Sequence, residues 1–206
     1  MSSPAEPITP PIDPEFDPLA FWIQHRTKIL LFTGIFLVAV ASYGVAEWTR
    51  GKTLAGAQRL LGSAKTADDY RKLIAEYPTT NAAGNAHLLL AEQLRKEGKL
   101  DEASALLRTF PAKYPEHPLL SGAWTSLAAN LEAQGKADEA LATYQKVSTS
   151  YGASFSAPIA LMAQARLLKA NGKTEEAGRI YEQVIARFAD NIVAQQATYE
   201  NRQLKK

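Results

Sequence analysis

The sequence predicts an all-α chain in which one transmembrane helix is followed by a stack of helix hairpins. Two observations carry that reading. Residues 29–46 read ILLFTGIFLVAVASYGVA and hold no charge. Beyond them the strings GKLDEA, GKADEA and GKTEEA begin at Gly98, Gly135 and Gly172, 37 residues apart both times. Composition removes several other classes. The 206 residues contain no cysteine, which excludes disulfides, thiolate metal sites, cysteine nucleophiles and a lipidated cysteine anchor. The 21 acids and 23 bases divide into four acids and two bases in residues 1–28, none in 29–46, and 17 acids and 21 bases in 47–206. That last segment is mildly basic and evenly so, unlike the concentrated face that neutralises phosphates, so nucleic acid is not an expected partner.

The first segment, residues 1–20, is expected to be a disordered tail. Its first 18 positions hold six prolines and four acids. Proline removes backbone donors and turns the preceding residue away from helix, so regular structure is not expected to nucleate here.

Residues 21–48 form the expected interfacial segment and transmembrane helix, with the span at 29–46. At 1.5 Å per residue the run is roughly 27 Å long, close to the hydrocarbon thickness of a bilayer. Ten of its residues are Ile, Leu, Phe or Val, worth roughly −3 to −6 kcal/mol on an insertion scale. Gly34, Ser42 and Gly44 subtract part of that. Phe21 and Trp22 before the run, Trp48 after it, and Arg26 and Lys28 at its start are of interfacial type. A run apolar on every face has no amphipathic core to join. The competing reading is a cleaved signal peptide, with the small residues Gly44–Ala46 as its site, which would release a secreted repeat protein. The preceding 28 residues, acidic and rich in proline, are unlike a short basic leader. On orientation the charges favour a cytoplasmic C-terminal side, since Arg50, Lys52, Arg59 and Lys65 follow the span, but long domains translocate largely regardless of charge.

Residues 49–83 are expected to supply a lead-in helix and a half unit at 66–77. Three repeats follow over 84–190. An aromatic residue recurs at one offset after each glycine string, at Tyr114, Tyr151 and Phe188, and one period earlier at Tyr77. Each unit reads as two helices. The first runs through 86–96, 123–133 and 160–170, with apolar residues three or four apart. Gly98, Gly135 and Gly172 sit just past its end, where a left-handed residue closes the helix without steric cost. Paired acids then open the second helix, Asp101 and Glu102, Asp138 and Glu139, Glu175 and Glu176, meeting the positive end of its dipole. Ala103, Ala140 and Ala177 mark the close approach of the paired helices. Leu107, Tyr144 and Tyr181, with Phe110, Val147 and Val184, form the core stripe. Residues 191–206 are expected to be a capping helix with a polar outer face.

On these residues the chain resembles the tetratricopeptide repeat family over about 84–189, with a partial unit before it. Ala91, Ala128 and Ala165 fall at the family's small residue in the first helix. Leu90 and Leu127 fall at its preceding leucine, where Gln164 departs. Trp124 falls at its aromatic position, held by His87 and Leu161 in the flanking units. Pro115 matches the terminal proline, replaced by Gly152 and Ala189. The longer period and the Tyr-Pro-x-x-x-Ala junction resemble envelope-associated repeats of this family. The resemblance implies a right-handed α-solenoid and no enzymatic activity. The layout, one span and then repeats, is similar to the ancillary subunit of the bacterial Sec translocon (the YfgM-like proteins). That likeness implies a single-pass protein of the bacterial inner membrane, repeats in the periplasm, and a scaffold at the translocon or with periplasmic chaperones.

In the family, first-helix residues turned away from the second helix line a concave groove that holds an extended peptide or partner helix. Carried over, these are Asn85, Leu88, Glu92 and Arg95 in the first unit. In the second they are Thr125, Ala129 and Glu132, and in the third Ile159, Met162, Arg166 and Lys169. Self-association into a structural membrane oligomer is the other use such repeats allow. No cofactor, metal or small-molecule substrate is expected. His25, His87 and His117 stand in unrelated settings without a ligand-spaced partner, and no phosphate-cradling or nucleophile motif occurs. The paired acids recur in every unit, which marks them as helix starts.

Overall fold

The computed structural model describes residues 18–204. Among them are nine α-helices and no strand: α1 (Pro18–Ser63), α2 (Ala67–Glu76), α3 (Asn81–Lys96), α4 (Leu100–Lys113), α5 (Leu120–Ala133), α6 (Ala137–Ser150), α7 (Ala157–Ala170), α8 (Thr174–Arg187) and α9 (Ile192–Leu204). They fall into two compact units that divide between Gly51 and Lys52.

The first unit is the apolar part of α1. Its most apolar 18-residue window has a mean hydropathy of 2.2 and no buried residue, so by length and composition this helix suffices to cross a bilayer. The tail expected over 1–20 lies outside the described residues as far as position 17. Pro18, Leu19 and Ala20 instead form the first turn of α1, where the missing proline N–H has no helical partner to lose. The lead-in helix is not a separate element either. It continues α1 to Ser63, because no proline interrupts the segment and a glycine alone weakens a helix by only about 1 kcal/mol.

The second unit is a run of helix hairpins. The end of α1 enters its core through Ala57, Leu60 and Leu61, which pack with Leu73, Ile74 and Tyr77. Thr66 and Asp69 form a reciprocal capping box at the start of α2. The Lys65 and Thr66 amides that bond Asp69 hold its carboxyl below the usual range. Each later hairpin turns on a glycine at φ near +77°, Gly98, Gly135 and Gly172. The Gly98 amide bonds Arg95 O at 3.0 Å and the Lys99 amide bonds Leu94 O at 2.9 Å. Gly135 with Lys136, and Gly172 with Lys173, repeat that pair of bonds, which satisfies the last carbonyls of the first helix.

Small residues bring the paired helices together. Ala91, Ala128 and Ala165 on the first helices, and Ala103, Ala140 and Ala177 on the second, are all at most 2% exposed. Around them lie Leu107, Phe110, Tyr144, Val147, Tyr181 and Val184, all buried. Leu141 packs against both main core clusters and joins the successive units. The first helices start earlier than apolar spacing predicts, at Asn81, Leu120 and Ala157. Their opening turns are set by other means: the Thr80 side chain caps α3 through the Ala83 amide, and Pro158 fits the first turn of α7. Gln164, where the repeat pattern calls for leucine, is buried and donates to Ser148 Oγ at 2.9 Å.

Candidate partner-binding groove

The groove residues sit on α3, α5 and α7, whose sequence register places them at equivalent positions. Asn85, Leu88, Glu92, Thr125, Ala129, Glu132 and Met162 are half-buried, while Arg95, Ile159, Arg166 and Lys169 are exposed. The third unit's set converges. Ile159, Met162, Arg166 and Lys169 line a cavity of about 560 Å³ with Tyr144, Ala163, Ala170, Tyr181, Gln196 and Glu200. Its size is within the range of ligand-binding clefts, roughly 300–1,000 Å³. Glu132 reaches this place through Arg166. Asn85, Leu88, Glu92, Arg95, Thr125 and Ala129 do not line the cavity.

The charges of this face are paired with one another. Arg166 grips Glu132 with two bonds of 2.5 and 2.7 Å, tying α7 to α5. The planar guanidinium suits a carboxylate approached in this way. Lys169 bonds Glu200 at 3.1 Å and ties α7 to α9. On α3, Arg95 and Lys96 both face Glu92, at 2.8 and 3.7 Å. The Arg95 bond holds the Glu92 carboxyl below its ordinary range, and the Glu200 bond raises the Lys169 ammonium. Burial pushes the Tyr144 hydroxyl up to about 12, with the Glu132 charge adding to it. Tyr181 is raised by burial too. Both phenols are therefore neutral at physiological pH, and the cavity they line carries its charge in the two ion pairs of Arg166 and Lys169.

Sequence reasoning misses the far wall, because it gives Tyr144 and Tyr181 wholly to the core and α9 to a cap. The repeat register could have found part of it, since Gln196 and Glu200 stand one 37-residue period after Ile159 and Ala163. Helix α9 packs against α8 and touches α7, continuing the series of first helices. The tyrosines are visible only in three dimensions, since a residue 3% or 1% exposed gives no sequence sign of reaching a cavity.

Comparison with known proteins agrees with this geometry. The family described as tetratricopeptide repeat-like domain matches residues 20–201. No curated protein matches the chain. Among solved structures, repeats described as nearly identical TPR-like repeats of a putative kinesin light chain from Podosopora anserina superpose with a TM-score of 0.55 at 20% identity, over 74% of this chain and 83% of that one. A single-substitution variant of the same repeats gives 0.56 at 19% identity over the same shares. BtubC (BKLC) from P. vanneervenii gives 0.56 at 22% identity, over 75% of this chain and 65% of that one. At such identities the likeness concerns the fold.

Proposed function

We propose that this chain, which belongs to the tetratricopeptide repeat-like domain family, is a membrane-anchored scaffold that binds a partner protein through the concave face of its repeats. The observation that carries the reading is α1: a charge-free apolar window with no buried residue, continuous in one helix with the first element of the repeat stack. Exposed apolar surface of that extent is costly in water and stable in lipid. The repeats supply a groove with bound-up charges and a cavity, which suits protein contact.

The finer reading is a single-pass protein of the bacterial inner membrane. Its tail is cytoplasmic, its repeats are periplasmic, and its scaffold acts at the Sec translocon or beside periplasmic chaperones. It is supported by the layout and by the Tyr77-Pro78 and Tyr114-Pro115 junctions. A photo-crosslinking residue placed at Ile159, followed by protease treatment of intact spheroplasts, tests both parts. The expected result is one discrete adduct, with repeats digested only once the outer envelope is opened. Repeats protected in intact spheroplasts would place them in the cytoplasm, and full extraction by alkaline carbonate would remove the anchor.

A further inference from the structure

The candidate groove face holds its charge in closed pairs, and beside them it leaves several large apolar side chains open. Leu89 on α3 is 44% exposed, Ile159 on α7 49% and Tyr199 on α9 61%, with Met162 half-buried between the last two. The register sets all four on one face. Leu89 stands two periods before Ala163, and Tyr199 one period after Met162, both of which line the cavity. Between them α5 offers only short side chains at the equivalent positions, Thr125 and Ser126. The result is a low floor on α5, with large apolar groups on α3 to one side and on α7 and α9 to the other.

We propose that this trough takes an uncharged, apolar stretch of polypeptide, anchored by a large side chain seated against Met162 in the cavity between α7 and α9. This deepens the scaffold reading and rests on it. The argument is charge complementarity. A carboxylate on the incoming segment that bonds Arg166 or Lys169 shares that cation with Glu132 or Glu200 and brings a like charge beside it. Each pair is already neutral as a whole, so little attraction is left to offset stripping water from the incoming charge. An ammonium meets the mirror-image cost at Glu132. A neutral segment disturbs neither pair, and by excluding water it strengthens both, since attraction grows as the effective dielectric falls. It also covers Leu89, Ile159 and Tyr199.

The test uses the full chain in lipid nanodiscs, with empty nanodiscs subtracted, and fluorescence anisotropy of three labelled peptides: alternating Leu and Ser, the same with Glu for Ser, and the same with Lys for Ser. The Leu-Ser peptide is expected to bind tightest and to change by less than about twofold between low and high salt. Ile159→Glu with Met162→Glu is expected to weaken it by about tenfold or more. Leu89→Glu, at a separate exposed site, is expected to weaken it less. Circular dichroism of each variant establishes that the repeats remain folded. Tighter, salt-sensitive binding of the Glu or Lys peptide overturns the neutral occupant but leaves a binding groove. Binding of the Leu-Ser peptide that ignores all three substitutions overturns the site. If none of the three peptides binds, the concave-face reading fails with it.

Discussion

The imidazole of His117 lies so close to the α-carbon of Gly84 that a β-carbon there would sit 2.5 Å from its Cδ2 and 2.7 Å from its Nε2. The ring comes from the loop between α4 and α5 and is held by hydrogen bonds at both nitrogens. The Leu119 amide donates to Nδ1 at 3.1 Å, so Nε2 carries the proton and donates to Asn81 O at 3.2 Å. A glycine in the opening turn of α3, a residue that weakens a helix by itself, is thus the seat that joins one unit to the next. At Gly122 the approach is looser, since Phe155 Cζ would lie 3.4 Å from an added β-carbon.

Gly84→Ala and Gly122→Ala are therefore expected to differ in sign. At position 84 the methyl meets a ring fixed by two bonds, and displacing it costs about 1–3 kcal/mol, more than the roughly 1 kcal/mol gained in helix propensity. At position 122 the methyl makes an ordinary contact with an exposed ring, and the variant gains up to about 1 kcal/mol. Thermal melting followed by circular dichroism checks both. A stabilised Gly84→Ala protein would show that the His117 seat is dispensable.

The hairpin turns give a second expectation. Gly135 sits at φ +76° with nothing within 4 Å of an added β-carbon, so substitution there costs backbone strain alone. Gly135→Ala should lower stability by about 1–2 kcal/mol and Gly135→Asn by less, because asparagine tolerates the left-handed region. Equal melting temperatures for the two variants would locate the cost elsewhere.

These turns are legible in the sequence because a closing glycine and two following acids are local signals, repeated three times. The same holds for the buried alanines and for the ends of the second helices at Tyr77 and Tyr114. The starts of the first helices are not legible, since Thr80, Leu119 and Ser156 end irregular junctions that lack periodicity. For the candidate groove, the sequence names the α7 residues that line the cavity and also Glu132, but not the pairing of Glu132 with Arg166, nor Glu200 as the partner of Lys169. Arg166 and Glu132 are 34 residues apart, a pairing that only the stacking of α5 on α7 creates.

His87 is expected to make stability depend on pH. It is wholly buried, with Nε2 2.9 Å from Leu106 O and no partner for Nδ1. Phe110 and Tyr114 meet it in T-shaped ring contacts. Burial lowers its pKa, the Leu106 bond opposes that, and the Lys113 charge adds to the lowering. The folded state thus binds its proton less readily than the unfolded chain, whose value is near 6.5. Stability is full above about 6.5, falls as pH drops from there to the lowered folded value, and is flat below it, with a slope of at most about 1.4 kcal/mol per pH unit. His87→Leu, which installs the residue found at the equivalent Leu161, should remove this part of the slope. Thr109 still donates to Leu106 O in that variant, at 2.8 Å. An unchanged pH profile of melting would exclude His87 as the source.

The Arg166–Glu132 clasp yields the last expectation, and it separates two arginines of the groove that look alike in sequence. Arg95 pairs with Glu92 on its own helix, one turn away, whereas Arg166 bridges two units. With its side chain 58% exposed, the Arg166 pair is worth no more than about 1 kcal/mol. Arg166→Glu then destabilises by about that pair plus a similar repulsion from Glu132, while Arg95→Glu, which loses only a within-helix pair, costs a few tenths of a kcal/mol. The reversed double variant Glu132→Arg with Arg166→Glu should regain most of the loss, because the fork geometry is restored with the roles exchanged. A double-mutant cycle in chemical denaturation measures the coupling. A coupling near zero would mean that α5 and α7 are held by their shared packing on α6 without help from this pair, and that the closed charges of the candidate groove do not stiffen the face proposed to meet a partner.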